Sequence, residues 1–344
     1  MNKEKNRISL KKKILIIIIS LIIIGTSSGL FLLYGPLSFF RNWLVTTAMT
    51  TMNHQYLATS FYSDETIKNI LEENKIIEPT SNTNLDIINT DSINTTIYKN
   101  EYEKEILEHK EDELYKMIEI KGKNYSGYLV AIYDPAKVKV VTSEKLGVKG
   151  EYLIDMAKRE EALVAINGGG FIDENGLGTG AQVEGIVIKD SKILNTKRYT
   201  RNGGIIGFTN DNKLYLGRVK NAQEALDLGI RDAVEFGPFL IINGEPSKSV
   251  GNGGFGLHPR TVIGQRKDGV VLFLVIDGRR IDCVGADMDD LIEIMLRYGA
   301  YNAANLDGGN SSALIINNKL INHPINWDLK EETRPIATGF ILTK

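Results

Sequence analysis

The residues best suited to chemistry lie in four segments in which polar groups directly follow an apolar run that is predicted to form a strand. A strand end holds a side chain rigidly and still leaves it within reach of a ligand. The segments are 164–171 (VAINGGGF), 258–264 (HPRTVIG), 272–280 (LFLVIDGRR) and 304–312 (ANLDGGNSS). Each is weak evidence by itself, but their joint appearance predicts a functional site.

The first two segments carry groups that suit ligand binding. Asn167, Gly168 and Gly169 end an apolar strand, and glycines let backbone amides come close to a ligand. In the second segment, Arg260 follows His258, and its guanidinium is a planar fork of donors that fits a phosphate or a carboxylate. The plainer alternatives are an ordinary turn for the glycines and a surface side chain for the arginine.

The third segment delivers Asp277 at the end of an uninterrupted apolar strand, beside Arg279 and Arg280. A carboxylate next to guanidinium groups tends to stay ionised. We therefore expect Asp277 to suit a nucleophile, a base or a metal ligand better than a proton donor. The alternative is a turn aspartate that pairs with a structural arginine.

The fourth segment is a glycine-rich acidic loop that presents Asp307. The surrounding groups expected to bind a ligand are Asn305, Gly308, Gly309 and Ser311. Glu184, in the sequence QVEG, is a third candidate carboxylate after Asp307 and Asp277, with a solvated residue at a strand edge as its alternative. Taken alone, the loop could also be inert.

The sequence requires no cofactor. Loops rich in Asp and Gly can bind a divalent cation such as Ca²⁺, although no EF-hand spacing occurs. The few histidines are too scattered for a zinc site, and no G-x-S-x-G motif supports a serine nucleophile. Metal ligands are therefore left unassigned.

Short β-rich runs separated by Gly, Asn and Asp begin at about residue 117, and these elements must position the four segments. Runs 128–133 and 137–142 are predicted to form a hairpin. Further strands are predicted at 163–166, 183–188, 205–209, 213–216, 239–242, 270–276, 314–316 and 337–342. Within this part, helices are predicted at 221–228 and 286–298. The fold class is therefore α+β, a β-rich globular domain with few helices.

The N-terminal part predicts a membrane protein. Residues 14–34 carry no charge and are long enough to cross a hydrocarbon core of roughly 30 Å as a helix. Basic residues dominate 1–13, so the positive-inside rule places this tail in the cytoplasm and the rest of the chain outside. We predict a cytoplasmic tail at 1–13, a single transmembrane anchor at 14–34, a juxtamembrane segment with an Asn/Thr-rich linker at 35–115, and the globular domain at 116–344. A cleaved signal peptide is the alternative, and it also exports the domain.

Overall composition narrows the class of function. The formal net charge of −2 offers no bulk electrostatic basis for nucleic-acid binding. A single cysteine, Cys283, excludes an intramolecular disulfide. The heavy use of Lys, Asn and Ile is typical of AT-rich bacterial genomes.

Taken in order, the motifs resemble the phosphodiester glycosidase family. From about Leu163 onward the chain carries NGGGF, an R-T-x-x-G segment, a strand ending in DGR, a helix, NLDGGNSS, and Arg334-Pro335 before a final strand. NLDGG is the most specific of these motifs. NGGGF stands where a relative has an NGGFF-type segment, and Asn310 stands where it has glycine. Residues 1–115 lie outside the resemblance.

The resemblance implies a hydrolase that cleaves a sugar-1-phosphodiester on the sugar side, releasing a free sugar and leaving a phosphomonoester. Its partner is then a glycosyl phosphodiester or an envelope polysaccharide, such as wall teichoic acid or capsule. The candidates for holding the phosphate charge are Arg260, Arg279 and Arg334. A carboxylate, from Asp307, Asp277 or Glu184, is needed to attack the sugar or to activate water. A non-catalytic glycopolymer-binding module and an envelope transferase stay open as alternatives.

Overall fold

The computed structural model describes residues 9–51, 54–91, 98–172, 178–198, 203–326 and 330–344. These residues belong to two compact units, the first ending at Asn74 and the second beginning at Lys75. Most of the predicted basic tail lies outside the described residues, since residues 1–8 are not among them.

The first unit contains the helices α1 (Leu10–Tyr34), α2 (Ser38–Met49), α3 (Tyr56–Thr59) and α4 (Asp64–Glu73). α1 is apolar along most of its length and buries no residue. Among the described residues it is the one helix long and apolar enough to cross a membrane, a test that an N-terminal signal sequence also passes. α2 to α4 pack around a small core that includes Val45, Tyr62 and Ile67. The hydroxyl of Ser63 caps α4 by accepting from the N–H of Thr66.

The second unit is built mainly from strands. Its helices are α5 (Glu101–Leu107), α6 (Leu153–Arg159), α7 (Ala222–Asp227) and α8 (Met288–Arg297). The strands up to α7 are β1 (Lys75–Ile77), β2 (Tyr115–Lys121), β3 (Ser126–Ile132), β4 (Val138–Thr142), β5 (Val164–Asn167), β6 (Phe171–Ile172), β7 (Gln182–Val183), β8 (Val187–Lys189), β9 (Lys192–Asn195), β10 (Gly204–Thr209) and β11 (Leu214–Gly217). The later strands are β12 (Ile230–Phe236), β13 (Phe239–Ile242), β14 (Glu245–Pro246), β15 (Lys248–Val250), β16 (Arg260–Arg266), β17 (Val271–Ile276), β18 (Ala300–Asn305), β19 (Leu314–Ile316), β20 (Lys319–Leu320) and β21 (Thr338–Leu342).

The largest sheet has seven antiparallel strands in the order β14-β13-β18-β16-β17-β3-β2. A five-stranded sheet, β20-β19-β5-β21-β4, faces it across a shared apolar core. A second five-stranded sheet has the order β11-β10-β12-β8-β9 and contributes to the same core. Large side chains in this core include Ile166, Phe208, Phe273 and Phe340.

β17 is apolar along its whole length because both of its faces are covered. Phe273 enters the core between the sheets, whereas Leu274 enters a second core beneath α8. α8 begins at a capping box in which Asp287 and Asp290 each accept from the other's N–H. Leu291, on its buried face, closes the second core. The packing of α8 therefore holds β17 in place from the side opposite the facing sheet.

The predicted α+β class, a β-rich domain with few helices, is confirmed. Strands predicted at 163–166, 270–276 and 337–342 correspond to β5, β17 and β21. The helices predicted at 221–228 and 286–298 are α7 and α8, whose N-caps are Asn221 and Asp287.

The hairpin predicted for 128–133 and 137–142 is wrong. β3 pairs with β2 and β17, whereas β4 pairs with β21 in the facing sheet. The connection forms a 3₁₀ turn at Pro135–Lys137, capped by the side chain of Asp134. This turn carries the chain from one sheet to the other, so the two consecutive strands do not pair.

Residues 75–91, called the strap here, belong to the second unit and pack against the rest of it, although the sequence predicts a linker in this region. β1 pairs with β15, and the Glu78 carboxylate accepts from the N–H of Phe239 at 2.9 Å. Farther along, the N–H of Asn89 donates to the carbonyl of Lys267 at 2.8 Å. A polar, aperiodic sequence does not reveal such docking, because these contacts join groups far apart in the chain. The rest of the predicted Asn/Thr-rich stretch, residues 92–97, lies outside the described residues.

We predict that the strap stabilises the second unit through Ile88, which is 1% exposed, whereas its neighbour Ile87 is 47% exposed. Ile88→Ala should lower the free energy of unfolding by about 2–5 kcal/mol, because it removes buried methyl groups and leaves a cavity. Ile87→Ala is the matched control and should change it by less than about 0.5 kcal/mol. Urea unfolding of the full-length chain in detergent measures both. Equal effects of the two substitutions would show that the strap does not pack as described.

Candidate active site

The ends of several strands meet at one end of the two facing sheets. Arg260 begins β16 and pairs with Ile276, the last residue of β17, so Asp277 follows at the same level. Asn305 ends β18 and pairs with Val262 of β16. In the facing sheet, β5 ends at Asn167, which pairs with the second residue of β21. All four sequence segments therefore converge on this end.

Asn167 is buried and connects both sheets to the acidic loop. Its Nδ2 donates to the carbonyl of Asp307 at 2.6 Å. Its Oδ1 accepts from the Thr261 hydroxyl at 2.6 Å and from the N–H of Ala313 at 3.2 Å. The structure thus places this side chain beneath the loop, where it supports the loop.

The glycines after Asn167 permit a close approach between chain segments. The N–H of Asp307 donates to the Gly168 carbonyl at 3.0 Å. A Cβ on Gly168 would lie 2.8 Å from the Thr338 hydroxyl, and one on Gly169 would lie 3.1 Å from the Val234 side chain. A side chain at either position would therefore fit only if Thr338 or Val234 shifted.

The acidic loop itself folds back on the start of β16. The N–H of Gly309 donates to the Pro259 carbonyl at 2.9 Å, and Gly309 has a φ of +61°, which favours glycine. A Cβ on Gly308 would lie 2.9 Å from the same carbonyl. Gly309–Ser311 then forms a 3₁₀ turn that presents the Ser311 hydroxyl.

Asp307 and Arg334 form the most accessible charged pair of the candidate residues. Asp307 Oδ2 lies 3.5 Å from Arg334 Nη2, and the Asp307 side chain is 18% exposed. Arg334 Nε donates to the Ser311 hydroxyl at 2.9 Å, and the guanidinium lies 4.6 Å from the centre of the Phe171 ring. Two neutral groups, the Ser311 hydroxyl and the Phe171 ring, thus hold the guanidinium beside the carboxylate.

Arg279 adds a second guanidinium to this pair. Its Nη1 donates to the Ile325 carbonyl at 3.0 Å, and its Nη2 would lie 2.9 Å from a Cβ on Gly309. Burial and then the positive charge of Arg334 lower the pKa of Arg279, while Asp307 raises it. Two cations near one carboxylate leave positive charge available for an anionic ligand.

Asp277 is enclosed rather than open. Its Oδ1 accepts from the N–H of His323 at 2.9 Å and from Asn322 Nδ2 at 3.1 Å, and the residue is 2% exposed. Burial raises the pKa of Asp277 above its ordinary value, although these hydrogen bonds oppose the rise. Arg280 does lower the pKa of Asp277, as its neighbouring position predicts, but burial outweighs this effect. Arg279 turns to Ile325, and Arg280 pairs with Asp282 at 2.5 Å.

Asn322 links Asp277 to the acidic loop. Besides contacting Asp277, its Nδ2 donates to the Ser312 carbonyl at 3.0 Å, and its Oδ1 accepts from the N–H of Leu314 at 2.8 Å. No motif in the sequence surrounds Asn322 or His323, so the sequence alone does not mark them as site residues. Only their position in the fold reveals them, since Asn322 lies 45 residues from Asp277 along the chain.

Arg260 holds a loop in place. Its Nε donates to the Ala286 carbonyl at 3.1 Å, and its Nη2 donates to the carbonyls of Phe255 and Gly256 at 2.9 and 2.7 Å. Burial lowers the pKa of Arg260 to about 10. Through these bonds Arg260 fixes the backbone at Phe255 and Gly256, beside the site.

Four buried polar atoms around the acidic loop have no hydrogen-bond partner within the described part of the chain: His258 Nε2, Asn305 Oδ1, Asn310 Oδ1 and Ser312 Oγ. Burial, together with the charges of Arg260 and Arg279, lowers the pKa of His258 to about 3, so its imidazole is neutral near neutral pH. Buried polar atoms are usually paired, so these four can bind a polar ligand or water.

Glu184 lies at the same end of the molecule. It follows β7, its N–H donates to the Gly170 carbonyl at 3.1 Å, and it is buried. The pairing of β6 with β7 sets Phe171 opposite Val183, so Glu184 follows the strand that pairs with Phe171. Across residues 9–51, 54–91, 98–172, 178–198, 203–326 and 330–344, no group of three or more His, Cys, Asp or Glu is placed to hold a metal ion. Binding of a divalent cation stays a prediction.

A family model described as phosphodiester glycosidase matches residues 160–343, a range that includes every candidate site residue. The sequence is 32% identical over 197 residues to the uncharacterized SPbeta prophage-derived protein YomE of Bacillus subtilis (strain 168). That match spans 56% of this chain but 30% of YomE, so the chain covers less than a third of that relative.

The fold is similar to that of the zebrafish N-acetylglucosamine-1-phosphodiester alpha-N-acetylglucosaminidase catalytic domain, solved as a form auto-inhibited by its pro-peptide. The TM-score is 0.56 at 22% sequence identity, and the match covers 69% of this chain and 85% of the other. At this identity the likeness concerns the fold alone.

We predict that Asp277→Asn gains stability relative to the wild type as pH rises. A carboxyl whose pKa is raised by folding contributes its stability fully at low pH and loses it as pH rises through the folded-state pKa. Urea unfolding of the full-length chain in detergent, from about pH 4 to about pH 7, measures the difference.

Asp282→Asn is the control, because the Arg280 side chain lowers the pKa of the exposed Asp282. A lowered pKa confines the pH dependence of this group to values below its unfolded-state pKa of about 4, so this variant should keep a nearly constant difference from the wild type between about pH 4 and about pH 7. A pH-independent difference between Asp277→Asn and the wild type would contradict the assignment of a raised pKa to Asp277.

Proposed function

The chain belongs to the phosphodiester glycosidase family, and we propose that it hydrolyses a sugar-1-phosphodiester between the sugar and the phosphate. The observation that carries this proposal is the cluster of Asp307, Arg334, Arg279 and Ser311 at the edge of the acidic loop. It combines cations for a phosphate with a carboxylate for the sugar carbon. The family match covers all of these residues.

Arg334 and Arg279 bind the phosphate in this proposal. When the bond between C1 and the phosphate oxygen breaks, that oxygen leaves with the electron pair and its negative charge grows. Guanidinium groups already in place stabilise this charge without rearrangement. A phosphate diester is also an acidic leaving group, so little proton donation is needed, and a neutral His258 is compatible with this chemistry.

Asp307 is the carboxylate that acts on the sugar. Its side chain is partly open, whereas Asp277 is enclosed and bonded to Asn322 and His323. Asp307 either attacks C1 itself or takes a proton from the water that attacks C1. In both courses water supplies the new C1 hydroxyl, and the phosphate leaves as a monoester. We assign Asp277 to positioning the acidic loop through Asn322.

We further propose that α1 anchors the protein as a single-pass helix with the second unit outside the cytoplasm. Supporting this, α1 is exposed and apolar, and Lys11, Lys12 and Lys13 precede its uncharged stretch. The substrate class would then be a glycosyl phosphodiester of the cell envelope.

Asp307→Asn should lower kcat for release of free sugar from a simple alkyl ester of a sugar-1-phosphate by about 10²–10⁴-fold. The amide keeps the shape of the side chain but can neither attack C1 nor accept the proton. Glu119→Gln is the control, because Glu119 lies in β2 and its side chain is 66% exposed. Unchanged sugar release by Asp307→Asn would refute its role. A wild-type chain that binds an envelope glycopolymer but never releases sugar from any sugar-1-phosphodiester would instead indicate a non-catalytic glycopolymer-binding module.

Arg334→Lys and Arg260→Lys should behave differently. Arg334→Lys keeps a charge but loses the fork that contacts both Ser311 and Asp307, so we expect kcat/KM to fall about 100-fold with little change in melting temperature. Arg260→Lys loses buried hydrogen bonds to backbone carbonyls, so we expect a loss of about 3 kcal/mol in unfolding free energy.

Sugar-release kinetics and thermal unfolding of the two variants separate these roles. If Arg260→Lys were as stable as the wild type but inactive, Arg260 would be a phosphate ligand, as the sequence predicts, and not a structural residue.

A further inference from the structure

The connection between α1 and α2 is short. α1 ends at Tyr34 and α2 begins at Ser38, so residues 35–37 join them. Three extended residues span at most about 10 Å. The start of α2 therefore lies close to the end of α1. The uncharged stretch 14–34 is about 31 Å long as a helix, close to the hydrocarbon thickness of roughly 30 Å. A membrane crossed by this stretch consequently ends near Tyr34.

The segment before α4 is also attached to the end of α1, by two hydrogen bonds. The Tyr62 hydroxyl donates to the Leu33 carbonyl at 2.9 Å, and the Tyr34 hydroxyl donates to the Phe61 carbonyl at 3.1 Å. The two tyrosine rings also meet edge to face with their centres 6.0 Å apart. The turn before α4 is thus fixed to the last turn of α1.

The first half of α2 exposes large apolar side chains at this level. Phe39 is 81% exposed and Trp43 is 45% exposed, and their spacing of four residues puts them on one helix face. Leu37 and Phe61 are also exposed. Farther along α2, Val45 is buried in the core of the first unit. These apolar side chains therefore face away from that core.

We propose that Leu37, Phe39, Trp43 and Phe61, called the interfacial foot here, insert into the lipid headgroup region where α1 leaves the bilayer. The foot is continuous with the proposed membrane span, so a lipid surface is the partner that its position favours. Aromatic side chains are enriched at this depth, because an apolar ring with a polar edge suits a boundary that is part apolar and part wet. The exposed surface of α4, in contrast to the apolar foot, is charged, since Asp64, Glu65 and Lys68 are among its exposed residues. This inference rests on the anchor proposed above.

The test uses the full-length chain in phosphatidylcholine vesicles, with Trp327→Phe so that Trp43 is the remaining tryptophan of the two in the sequence. Lipids brominated high on the acyl chain should quench Trp43 more strongly than lipids brominated near the chain end. Aqueous iodide should quench it weakly. A matched control carries Trp43→Phe, Trp327→Phe and Lys68→Trp, which moves the probe to α4. Aqueous iodide should quench this probe strongly, and neither brominated lipid should quench it.

Three outcomes would overturn the foot or its premise, and they can be told apart. Release of the chain from vesicles by alkaline carbonate would refute the anchor itself. Retention with Trp43 open to iodide and unaffected by brominated lipid would refute the foot while leaving the anchor intact. Shielding of Trp43 from both quenchers would show that protein, not lipid, covers this face. None of these results bears on sugar release by the second unit.

Discussion

The site depends on one buried amide, that of Asn167, which joins the two facing sheets to the acidic loop. It accepts from Thr261 of the seven-stranded sheet and from Ala313 of the facing side, and it donates to the carbonyl of Asp307. A buried polar group left without a partner costs about 1–3 kcal/mol, so the sheets and the loop are held in one relative position. The location of Asp307 is thus set by the core, even though Asp307 belongs to a loop.

Other neutral side chains position the remaining groups of the site. Asn322 links Asp277 to the loop backbone, and Ser311 orients Arg334. The ionisable groups therefore divide into two classes. Asp277 and Arg260 are enclosed by backbone and amide partners. Burial raises the pKa of Asp277 and lowers the pKa of Arg260, so in each case it favours the neutral form. Asp307 and Arg334 keep partial access to solvent, which a group that meets a substrate must have.

The sequence allowed much of this framework to be predicted. The apolar run before Asp277 predicts a buried strand, and β17 is buried on both faces. The predictions of strand pairing and of a free linker failed, because in both cases the contacting residues are distant from each other in the chain. β3 and β4 are consecutive and β-rich, but a turn after Asp134 sends them to different sheets. The strap is polar and aperiodic, yet it docks through Glu78 and the buried Ile88.

By itself, the sequence determined the fold class, the strand-end position of the polar segments and the family, because alternation, apolar runs and glycine-rich turns are local properties of the chain. Only the tertiary structure decided that Asp277 is enclosed while Asp307 is open, and that Arg260 holds a loop while Arg334 stands beside a carboxylate. These distinctions arise from partners such as Asn322, Ala286 and Ser311, which lie 45, 26 and 23 residues away from the groups they contact. A local pattern carries no information about contacts of that range.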